Sequence, residues 1–144
     1  MPDAVADILA GLIPYPHGWR GPLPPAAGTF LGHPLGLTLE TRSVRRPGPP
    51  PPPLPEEVEL VGVVLAGLPE VLKRAEREYA RHTRGDRTAK GQVFEPQVFI
   101  TRDDAEDYPG GGRWTLWVRR ADRPEFAYHV EFERLAFREI WSGD

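Results

Sequence analysis

The chain has 144 residues, no cysteine and a formal net charge of −3. The missing cysteine excludes disulfides, a thiolate nucleophile and any cysteine-containing zinc or iron–sulfur site. The small negative charge does not mark a chain-wide nucleic-acid binder, and no apolar run approaches the ~20 residues that span a bilayer.

Met1–Leu12 carries Asp3 and Asp7 where a signal peptide would be basic, so the expectation is a cytoplasmic chain with no membrane partner. A chain of this length removes about two-thirds of its unfolded surface from water, enough for a core without staples. Its 15 glycines and 18 prolines are unusual and imply many turns and at least one irregular stretch.

In residues 1–27, Val5, Ile8, Leu9 and Leu12 fall at helical spacing. Asp3 stands as the cap of that short helix, and Gly11 with Pro14 closes it. Five prolines between Pro14 and Pro25 then predict an irregular coil, pinned by Tyr15 and Trp19. Thr29–Val44 reads as a hairpin: Phe30-Leu31, a break at Gly32-His33-Pro34, then Leu35, Leu37 and Leu39 alternating with Gly36, Thr38 and Glu40.

Residues 45–55 contain five consecutive prolines, which adopt polyproline II and cannot enter a helix or a central strand. Extended, Pro47–Pro55 spans ~28 Å, so the segment reads as a stiff crossover.

Residues 56–84 are the strongest helical signal. Val61, Val64, Leu65, Leu68, Leu72, Ala75 and Tyr79 make one apolar stripe. Pro69 lacks a backbone donor and clashes with the carbonyl of Leu65, so the helix should kink or restart near Gly67-Leu68. The β-branched content of Val58–Leu65 supports a rival strand. After a polar connection at Gly85–Gly91, period-two alternation predicts strands at Val93–Thr101, Trp114–Arg120, Phe126–Glu133 and Leu135–Trp141. Connections this short join antiparallel neighbours.

The second and third of these strands carry the main candidate surface. Trp117 and Arg119 differ in parity from Trp114, Leu116 and Val118, and His129 and Glu131 from Tyr128 and Val130. With the even positions facing the helix, one sheet face gathers Trp117, Arg119, His129 and Glu131. Tryptophan and arginine are enriched in binding hot spots, so these four are the expected partner-binding residues. The alternative is that the Tyr15–Trp19 coil folds over that face and buries it.

A second candidate is the row Lys73, Arg77, Arg81 and Arg84, spaced to line one helix face. Such a row can track phosphates, though no aromatic residue interleaves it to stack on bases. The acidic run Asp103, Asp104, Glu106 and Asp107 lacks the glycine an EF-hand needs at its sixth place, where Tyr108 stands. His17, His33, His82 and His129 show no metal-ligand spacing. Ser43 and Ser142 sit in no nucleophile-elbow context, and Gly110–Gly112 is no phosphate loop.

The expectation is therefore one α+β domain over 1–144. It comprises an N-terminal helix and hairpin, a proline-rich crossover and one long kinked helix on a C-terminal antiparallel sheet (93–141) of about four strands. Neither a metal nor another cofactor is expected, nor an enzyme activity. The expected function is a non-catalytic protein-binding module, in build like the immunity-type or accessory proteins that bind a larger bacterial effector. The alternative is an accessory nucleic-acid-binding protein using the basic row.

Overall fold

A computed structural model of the protein describes residues 2–42, 45–101 and 112–143. The acidic run at 103–107 and most of the glycine-rich turn after it lie outside the described residues. In chain order the elements are helix α1 (Pro2–Ala10), strands β1 (Ile13–Tyr15), β2 (Gly18–Pro22), β3 (Thr29–Phe30), β4 (His33–Pro34) and β5 (Gly36–Glu40), and helix α2 (Pro55–His82). Strands β6 (Val93–Thr101), β7 (Arg113–Arg120), β8 (Arg123–Glu133) and β9 (Ala136–Gly143) complete the chain.

The fold is mixed α and β, as alternation and the long stripe predict, but the sheet is larger than four strands. Seven strands run in the order β1-β2-β5-β6-β7-β8-β9, and β3 pairs only with β4. The C-terminal four are antiparallel neighbours, as their short connections require. Three corrections enlarge the sheet. The expected coil at 14–25 instead contains most of β1 and all of β2, an antiparallel pair at one edge. The expected hairpin at 29–44 splits, with Gly36–Glu40 leaving it to pair with β2. That same strand pairs parallel to β6, so the sheet is not purely antiparallel. Parallel pairing is open to it because the proline segment and α2 together supply the long crossover that such a return needs.

Helix α2 covers one face. It starts at Pro55, where proline's missing N–H is no loss. The Glu57 carboxylate accepts the Leu54 backbone N–H at 2.6 Å. The helix runs unbroken to His82, so Val58–Leu65 is helical and no restart occurs at Gly67-Leu68. Pro69 is exposed, so its ring stands on the side of the helix away from the packed stripe. Leu60, Val61, Val64, Leu68, Val71, Leu72, Ala75 and Tyr79 are buried. They share one core with Leu37 and Leu39 of β5, Val98 and Ile100 of β6, Leu116 and Val118 of β7, and Val130 and Phe132 of β8.

Helix α1 packs Val5, Ile8 and Leu9 beside this core. It begins at Pro2, so Asp3 lies within its first turn rather than ahead of it. The proline segment is strapped down. The Trp19 indole N–H donates to the Pro51 carbonyl at 2.9 Å, and the Arg42 guanidinium donates to the carbonyls of Pro16, Arg46 and Gly48 at 2.9–3.0 Å.

Candidate partner-binding face

The face of the sheet away from α2 carries no helix among the described residues. Trp117, Arg119, His129 and Glu131 all stand on it, each half-buried. Register explains the grouping: Trp117 lies opposite His129, and Thr115 opposite Glu131. Tyr15 and Trp19 do not cover the face. They sit in strands that extend the sheet, with Tyr15 bonded through its hydroxyl to Glu40 at 3.1 Å and Trp19 turned to the proline segment.

An aromatic stripe crosses four adjacent strands here. The Phe99 ring meets Trp117 edge-on at 5.3 Å, Trp117 lies 6.3 Å from His129, and His129 stacks on Trp141 at 3.8 Å with the planes 4° apart. Phe94 joins the same face through a bulge. Glu95 takes a positive φ of 46° before Pro96, and pairing shifts between Phe94 and Gln97. A bulge changes which side chains share a face, so Phe94 lies opposite Arg119 although Val98 and Ile100 point to the core.

Arg119 is held in place on this surface. Its guanidinium lies 5.6 Å from the Phe94 ring centre, 5.8 Å from that of Trp117 and 3.9 Å from the Glu95 carboxylate. The Glu131 carboxylate accepts the Trp141 indole N–H. Burial lowers the His129 imidazole below its ordinary value and the nearby Glu131 charge partly restores it, so the ring is neutral at pH 7. Trp117 Nε1 and His129 Nε2 are both buried without a hydrogen-bond partner among the described residues. Such groups cost ~1–3 kcal/mol each when unpaired.

Alternation found four residues of this face and missed Trp141, Phe99, Phe94 and Glu139. Trp141 and Glu139 follow once β9 is registered on β8, opposite His129 and Glu131. Phe94 depends on the bulge, for which Pro96 inside a strand pattern is the only sequence signal.

The basic row is arranged differently. Lys73, Arg77 and Arg81 are exposed on α2, but the helix ends at His82, so Arg84 belongs to the following turn and not to the helix face. Lys73 stands 3.6 Å from Glu70 and Arg81 3.3 Å from Glu78, which also accepts from Arg74 at 2.8 Å.

One buried cation went unnoticed in the sequence. Arg120 is 2% exposed at the end of β7, and its five N–H groups meet five acceptors. Two bonds go to Asp122 at 2.8 Å, one to Asp86 at 2.5 Å, one to Thr88 at 2.9 Å and one to the Tyr128 hydroxyl at 3.1 Å. These bonds hold the Asp86 carboxyl at about 2 and lower Asp122 as well. The saturated donor set makes Arg120 a clamp on the 83–92 connection, with no N–H left for a ligand.

Among the described residues no three histidine or carboxylate side chains converge as a metal site, and no helix is long and apolar enough to cross a membrane. Set against protein-family models, curated proteins and solved structures, the chain matches none.

Proposed function

We propose that the chain is a small non-catalytic protein-binding module whose docking surface is the open sheet face. Its small, cysteine-free build supports an immunity-type or accessory role beside a larger bacterial effector. The observation that carries this reading is the stripe Phe99–Trp117–His129–Trp141, gathered on the side of the sheet that α2 does not use. The core is already closed on the other side, so folding does not require three more aromatic rings and an imidazole here. Rigid aromatic anchors with a fixed arginine beside them are what binding hot spots use. The row on α2 supports nucleic acid less well, since Glu70 and Glu78 stand against two of its cations.

The test is Trp117→Ala. Captured from a lysate of the source organism and then measured pairwise, the partner should bind the variant ~2 kcal/mol more weakly, about thirtyfold in Kd. Circular dichroism should show the fold retained. Undiminished binding by a folded variant would overturn the reading.

A further inference from the structure

We infer that the open face takes an arginine side chain of its protein partner, seated on Trp141 and held by Glu131 and Glu139. The inference rests on the partner-binding reading and specifies the partner's chemistry.

Glu131 and Glu139 are directly opposed across β8 and β9. On one face of an antiparallel pair such residues have their Cβ atoms ~5 Å apart, where like charges destabilise. Among the described residues neither carboxylate has a cation. Glu131 accepts only the neutral Trp141 indole N–H, and Glu139 is exposed without an ion pair. The nearby cations are engaged elsewhere or registered elsewhere. Arg119 meets Glu95, Arg138 meets Glu133 at 2.5 Å, and Arg113 stands opposite Glu133 rather than Glu131.

The aromatic side of the site is equally specific. Trp141 is 41% exposed, and its ring is fixed by the parallel stack on His129 and by the bond to Glu131. A fixed indole attracts a cation over its face. A planar guanidinium can stack on that ring and still donate to carboxylates at its edge, which an ammonium cannot do equally well. Among the described residues the two carboxylates Glu131 and Glu139 outnumber the one unpaired cation on this face, Arg113, so the complementary partner group is positive and flat.

The probe is a phage-displayed dodecapeptide library panned on the full chain, with binders to the Trp117→Ala chain removed. The expected pool carries arginine at one fixed position. A synthetic peptide from it should bind the E131Q/E139Q chain about tenfold more weakly, and its arginine-to-lysine version should also lose affinity. Neutralising a repulsive pair does not threaten folding, and circular dichroism with E139Q alone provides the control. A pool without a conserved arginine, or one whose peptide binds E131Q/E139Q as well as the parent, would overturn the inference while leaving the face as a binding surface. A library yielding no peptide that distinguishes the parent from Trp117→Ala would count against the face itself, and the inference would fall with it.

Discussion

Arg120 and Glu139 illustrate two opposite uses of charge at single positions. Arg120 is buried with every N–H paired, and removing it strands Asp86, Asp122 and the Tyr128 hydroxyl. Arg120→Met should cost about 3 kcal/mol in a urea titration, the lower end for a broken buried pair because both carboxylates keep some access to water. A loss under about 1 kcal/mol would show that the clamp does not hold the 83–92 connection. The acid limb follows from the same contacts. Asp86 titrates at about 2 in the folded chain, below its unfolded value. A depressed carboxylate contributes its stability in full above ~4 and loses it as pH falls toward ~2. Stability should therefore fall with acid across that window, and the fall should flatten in Arg120→Met. Glu139 behaves in the reverse sense. Glu139→Gln relieves repulsion with Glu131 and should raise stability by roughly 0.2–1 kcal/mol. A measured loss would mean that Glu139 is held by a favourable contact.

At the scale of elements, the long helix and strands β7 and β8 were legible because each buries a regular stripe. Phe132 exemplifies this: its parity places it in the core, and it is 1% exposed and stacked on Trp114 at 4.9 Å. Phe132→Ala should destabilise by ~3–5 kcal/mol in chemical denaturation. Pro69 shows the limit of local rules. A proline predicts interruption, yet α2 continues because the packed stripe on its other side outweighs one missing bond. Pro69→Ala should then raise stability, by up to ~3 kcal/mol, since the position is exposed and alanine restores the bond. An unchanged melting temperature would show that the helix has already adapted around the ring. Strands β1 and β2 were hidden for a different reason. Pro14, Pro16 and Pro22 mask a strand pattern, and proline is tolerated here because β1 is an edge and Pro22 ends its strand.

The whole molecule is a seven-stranded sheet with its core on one side and an aromatic stripe on the other. Parity along two strands was enough to place Trp117, Arg119, His129 and Glu131 on one face. It could not show the face's extent, because β5 joining β6 is a long-range pairing and the Phe94 bulge is a local exception to period two. On the proposed function this face, and not the outer surface of α2, meets a protein. Site-specific photo-crosslinking in the source organism tests it most directly, with a benzophenone side chain placed at Thr115 on the open face or at Arg77 on the helix. A discrete protein adduct from Thr115 and none from Arg77 is the predicted result. An adduct from Arg77 alone, or none from Thr115, would contradict the claim.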